Sequence, residues 1–232
     1  MQRRLAVLLA VGVVIWLAPE AGAAQSAGAW EQFTEAGKIA YQQSHYGEAL
    51  AYFQAAVKEA EKFGPEDRRL ATSLNNLAAV YSTQDNYKDA EPIYRRALHI
   101  LEQALGREHP DLATSLNNLA VLYDSQGKYG EAEPLYRRAL AIDEKAYGSE
   151  HVDVATDLNN LASLYDTMGR YAEAEPLYRR ALAIDEKVLG VEHHNVLTDL
   201  QNYAALLRKM KRDDEAAKLE ERAEMIRSLR HD

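Results

Sequence analysis

Cysteine is absent from the 232-residue sequence. That excludes disulfides, thiolate metal sites and lipidation of an N-terminal cysteine, and it leaves the redox compartment unmarked. No glycine-rich phosphate loop, nucleophile elbow or HExxH pair occurs, so no catalytic grouping emerges and neither enzyme activity nor a cofactor is expected. Basic residues are in deficit, 27 against 36 acidic, for a formal charge of −9. Nucleic acid and anionic membranes are poor partners for such a chain. Long apolar runs are scarce as well. The run from Leu5 to Ala18 is shorter than the ~20 residues a spanning helix needs.

That run follows Arg3 and Arg4 and precedes Pro19, Glu20 and Ala21-Gly22-Ala23-Ala24. A basic start, an apolar core and a small-x-small end predict a secretory signal peptide over residues 1–24. The arginine pair lacks a twin-arginine context, so Sec export to the periplasm or the medium is expected. The alternative is an anchor through residues 5–18, the one circumstance in which a membrane contact is expected. Cleavage removes Arg3, Arg4 and Glu20, leaving 25 basic and 35 acidic residues, a charge of −10.

What the sequence does have is a repeat. The segment Ala113–Lys145 returns 42 residues later as Ala155–Lys187 and 42 residues earlier as Ala71–Glu102, and Glu131–Lys145 recurs letter for letter at Glu173–Lys187. A fixed period of this length marks a solenoid of supersecondary units, each packed on its neighbours.

The pattern predicts an all-α chain of five helix-turn-helix hairpins over residues 30–230, after a small-residue linker at 25–29. The repeats fall at about 30–64, 67–106, 110–148, 152–190 and 194–230. Within hairpins, Asp85-Asn86, Gly127-Lys128 and Gly169-Arg170 supply a left-handed turn residue. Between hairpins, Gly106, Gly148 and Gly190 end the second helix, and Pro110 suits a first helical turn. The fifth hairpin carries Glu220 where the others carry an aromatic, which reads as a polar cap on the open end. Pro92, Pro134 and Pro176 sit some five residues into each second helix, where an interior proline costs ~3 kcal/mol. Either these helices start later than placed or their first turns are irregular.

On a wheel of 100° per residue, Leu116, Leu119, Ala120 and Tyr123 form one stripe, and Ala132, Tyr136 and Ala139 form its partner. Alanine lets the backbones approach closely. Tyrosine fills the adjacent gap with its hydroxyl expected at the wet edge. The same order runs through Leu74, Leu77-Ala78, Tyr81, Ala90, Tyr94 and Ala97, and through Leu158, Leu161-Ala162, Tyr165, Ala174, Tyr178 and Ala181. This alternation of large and small residues resembles the tetratricopeptide (TPR) repeat. The 42-residue period, with LNNLA, EAEPLYRRAL and G-EHPD, is similar to the repeats of kinesin light chains and their bacterial relatives. The resemblance covers about Trp30 to Arg227. It implies a right-handed superhelical solenoid, and a protein-interaction module that binds a peptide or protein segment in the concave groove lined by the first helix (helix A) of each hairpin. The alternative is a structural or self-assembling array without a peptide ligand; a monomer is expected, and no small-molecule substrate.

Paired amides recur at one mid-helix position: Asn75-Asn76, Asn117-Asn118, Asn159-Asn160 and Gln201-Asn202. Asparagine is disfavoured there, so its presence asks for a reason. Asn75, Asn117 and Asn159 point towards a neighbouring repeat, where an amide can bond across the seam. Asn76, Asn118, Asn160 and Asn202 face the groove, where a ladder of amides can grip an extended peptide backbone. Groove-side neighbours include Lys38, Asp124 and Asp166, with Thr72, Thr114, Thr156, Val121 and Ser163. His109, His151 and His193 also recur, but equivalent points in successive hairpins lie ~8–10 Å apart or more, and zinc holds ligands at ~2 Å. They read as loop or capping residues, with no metal site. The Arg95-Arg96, Arg137-Arg138 and Arg179-Arg180 pairs read as a solvated ion-pair face, and the recurrent acids as surface charge.

Overall fold

A computed structural model describes residues 22–228. Residues 1–21, which hold most of the expected signal peptide and the alternative anchor at 5–18, lie outside the described residues. Among those described, no helix is long and apolar enough to cross a membrane.

The described chain is ten helices: α1 (Gly22–Gln42), α2 (Tyr46–Glu61), α3 (Arg68–Thr83), α4 (Tyr87–Leu105), α5 (Asp111–Ser125), α6 (Tyr129–Tyr147), α7 (Val152–Thr167), α8 (Tyr171–Leu189), α9 (His194–Lys209) and α10 (Asp213–Ser228). Consecutive helices pair into five hairpins. Residues 25–29, expected as a linker, lie inside α1; the alanines there are strong helix formers and no proline interrupts them.

The boundaries have local causes. Asp67 caps α3 by accepting from the Arg69 backbone N–H at 2.9 Å. His109, His151 and His193 do the same work with Nδ1, accepting at 3.2 Å from the N–H groups of Asp111, Asp153 and Asn195. Each satisfies one of the orphan donors that every helix start leaves. Gly106, Gly148 and Gly190 end α4, α6 and α8 at φ of 83°, 85° and 89°. The tight turn inside each hairpin needs a left-handed residue, which is glycine at 127 and 169 but Ser44, Asp85 and Lys211 in the other three.

The prolines do not delay their helices. Each of α4, α6 and α8 runs unbroken through Pro92, Pro134 and Pro176. These prolines are exposed, and the carbonyls they deprive of a donor belong to exposed Lys88, Gly130 and Ala172. Water can take those carbonyls, which removes much of the usual interior penalty.

Alanine makes the hairpin contact: Ala78, Ala120 and Ala162 on helices A and Ala90, Ala132 and Ala174 on helices B are all fully buried. The helix-B tyrosines differ from the expectation of a wet hydroxyl. Tyr94, Tyr136 and Tyr178 are only 2–3% exposed, and burial pushes the Tyr178 hydroxyl up to about 12. The gap they fill is deeper than a helical wheel shows. It is Tyr123, Tyr165 and Tyr203 of helices A that keep a polar partner, donating to Glu91, Glu133 and Glu175 of the preceding hairpin at 2.9–3.1 Å.

Successive helices A touch one another, α3 with α5, α5 with α7 and α7 with α9, and no comparable contact joins successive helices B. Helices A therefore line the inner, concave side. On the outer side an arginine at one repeated position spans the wider gap to the previous helix B: Arg138 to Glu102 at 2.6 Å, Arg180 to Glu144 at 2.7 Å, and Arg222, which follows a glutamate instead of a second arginine, to Glu186.

Candidate functional site

Two rows of side chains run along the inner side, and the amide pairs supply one member to each. The first amides are engaged between repeats. Asn75 Nδ2 donates to Ser115 Oγ at 2.6 Å, and Asn117 and Asn159 donate to Oδ1 of Asp157 and Asp199 at 2.5 Å each. Trp30 Nε1 starts the row by donating to Ser73 Oγ at 2.7 Å. These bonds tie each helix A to the next.

The second amides stand one residue further round and, like the first, are partly exposed. Asn76 and Asn118 share the wall of a cleft of about 810 Å³ between α3 and α5, together with Thr72, Thr114 and Trp30. Asn76 Nδ2 has no hydrogen-bond partner among the described residues. It also borders a smaller cavity of about 140 Å³ with Lys38, Tyr41 and Phe53. Asn160 and Asn202 continue the register on α7 and α9. Of the charged groove neighbours, Asp124 is half-buried and its carboxyl is raised by that burial. Asp166 is already paired with Lys209 at 2.7 Å. Lys38 lies loosely against Glu35 at 4.0 Å.

The recurrent acids are not all surface charge. Asp143, Asp157, Asp185 and Asp199 are each 5% exposed or less. They form two facing sets, Asp143 of α6 against Asp157 of α7, and Asp185 of α8 against Asp199 of α9, at the seams between repeats 3 and 4 and between 4 and 5. Burial disfavours the charged form, and a facing carboxylate disfavours it further. Burial, opposed by the Asn117 hydrogen bond and reinforced by Asp143 and Asp153, pushes Asp157 up to about 7. Burial likewise brings Asp143 to about 6 and Asp199 to about 7. At the earlier seam, between repeats 2 and 3, the corresponding residues are Leu101 and Ser115. A signal was present in the sequence: Asp143 and Asp185 occupy the apolar stripe that Leu101 keeps. Shared repetition hid it, because an acid repeated identically looks like repeated surface.

The family profile of the tetratricopeptide repeat matches residues 32–103, 69–145, 125–187 and 167–227. No curated protein matches. Among solved structures, a putative kinesin light chain with nearly identical TPR-like repeats from Podosopora anserina superposes with a TM-score of 0.71 at 25% identity, covering 90% of this chain and 98% of that one. BtubC (BKLC) from P. vanneervenii gives a TM-score of 0.71 at 23% identity, covering 91% and 93%. MamA gives 0.54 at 16% identity, covering 86% and 92%. The last two speak to the fold alone. With the profile spanning nearly all of the described hairpins, the chain belongs to the tetratricopeptide repeat family, whose members are in general protein-interaction scaffolds without catalysis of their own.

Proposed function

We propose that this is an exported scaffold that holds an extended peptide segment of a partner protein along the helix-A groove. Asn76, Asn118, Asn160 and Asn202 bond the peptide backbone, and their neighbours, among them Lys38, Val121 and Asp124, select its side chains. The carrying observation is the division of labour within each amide pair. In the first three pairs the first amide bonds across the seam and the second does not; Asn76 and Asn118 line the cleft, and Asn76 leaves a buried donor unpaired among the described residues. A buried amide donor without a partner is costly, and an extended backbone presents acceptors in a row.

The test is capture from the exported fraction by the mature chain, with and without the triple change Asn76→Ala, Asn118→Ala and Asn160→Ala. Circular dichroism confirms that the variant folds. Loss of the captured protein supports the groove; undiminished capture by a folded variant overturns it.

A further inference from the structure

Between repeats 3 and 4 lies a cavity of about 180 Å³, lined by Asp143, Asp153 and Asp157 with Thr114, Asn117 and Tyr147, and reached also by Asp111. Among the described residues, no lysine or arginine lines it. Asp111 is answered by Arg68 from outside the cavity, and Asp153 meets only the His151 imidazole, 3.3 Å away. That leaves Asp143 and Asp157, 5% and 1% exposed. Each has one buried oxygen with no hydrogen-bond partner among the described residues, Oδ1 of Asp143 and Oδ2 of Asp157. An unsatisfied buried carboxylate oxygen is among the more expensive things a fold can retain. The two carboxyls face each other and can share a proton, and once that proton leaves the pair is short of a cation.

We propose that this cavity receives the ammonium group of a lysine side chain carried by the segment bound in the groove. This rests on the groove reading above and names one feature of the partner. The shape of the acceptors distinguishes the cations. Asn117 already occupies Oδ1 of Asp157 at 2.5 Å, so Asp157, the most deeply buried of these acids, does not present the pair of free oxygens that the planar guanidinium fork matches. An ammonium is a compact charge with three separate donors. It fits single oxygens from Asp143 and Asp157 and a threonine hydroxyl. Among the described residues, no three acidic or imidazole side chains converge as metal ligands. Thr114 and Thr156, exposed on the groove side of helices A, form the mouth. Tyr147, 47% exposed and stacked on His151 at 4.5 Å, offers an apolar face for the lysine's methylene stem.

Binding must displace the proton that burial keeps on the carboxyl pair. Asp111 on α5, Asp143 on α6 and Asp153 on α7 line the cavity with Asp157; against them stand Arg68 and the His109 imidazole, both at Asp111, and the His151 imidazole at Asp153, so the field around Asp157 is mainly acidic. The ammonium therefore binds more tightly near pH 8 than near pH 6.

The experiment uses a probe independent of the partner. The Asn117 side-chain amide resonance of the mature chain is followed by NMR during titration with N-acetyl-lysine methylamide, its uncharged norleucine analogue, and magnesium or calcium chloride. The expected result is a saturable shift with the lysine compound alone, weakened about tenfold or more in Asp157→Asn and again in Asp153→Asn, and tighter at the higher pH. No saturable shift, an equal response to norleucine, or a stronger response to the metal ions overturns the proposal. The groove reading fails separately. If lysine binds here while the triple asparagine variant captures its partner undiminished, the cavity stands and the groove falls; the reverse pair of outcomes removes only the cavity.

Discussion

Replacing Asp157 by asparagine should stabilise the protein, and by an amount that grows with pH. The side chain keeps its shape and its oxygen for Asn117, and loses only the capacity to be charged. In the unfolded chain an aspartate titrates near ~3.9; in the fold Asp157 titrates at about 7. The folded state therefore binds the proton more tightly. The stability this confers is fully present below the unfolded value and is lost as pH rises through about 7. Each tenfold change in proton concentration inside that window is worth about 1.4 kcal/mol. The wild type consequently forfeits as much as about 4 kcal/mol between acid and pH 8 that the variant does not. The advantage of Asp157→Asn is about 1–2 kcal/mol near pH 5 and grows towards that ceiling near pH 8. Urea unfolding by circular dichroism at the two pH values reads the difference as a shift in midpoint at constant slope. A variant less stable at both, or more stable by a pH-independent amount, refutes the reasoning. That a stabilising change is so easily named is itself informative, because unfavourable groups are commonly retained where a ligand uses them.

Asn117→Ala removes the donor that answers Asp157 and leaves a second orphaned oxygen on the same buried carboxyl. It should cost about 1–3 kcal/mol, with hydrogen exchange in α5 and α7 accelerating ahead of that in α3. Lys211→Gly releases a side chain held at φ 60° and should stabilise the last hairpin by about 1 kcal/mol, seen as slower exchange in α9 and α10.

The hairpins and their order were legible in the sequence because the two relevant periodicities are independent. The 42-residue return gives the unit, and the small–large alternation of Leu116, Ala120, Tyr123, Ala132 and Tyr136 gives the packed faces. The histidines were legible as caps, since their spacing forbade a shared metal. The direction of the first asparagine towards a neighbour could be read from the wheel, but its acceptor could not. Ser115, Asp157 and Asp199 lie on another repeat, and no helical wheel spans two. The buried acids were missed for a related reason. An aspartate flanked by glutamate and lysine in AIDEK reads as solvated. Only the approach of α6 to α7 shows that its oxygens face another carboxylate.

The arginine–glutamate pairs along the outer side act as ties across the widest gaps between neighbouring hairpins. Arg138, Arg180 and Arg222 reach helices that otherwise make no comparable contact. The ties are solvent-accessible, and mobile ions weaken exposed charge pairs within a screening distance of about 8–10 Å. The inner row of amide and carboxyl bonds is shielded from that effect. Electrolyte should thus loosen the back of the coil before its spine, so a change in the curvature of the solenoid with ionic strength is the expected outcome.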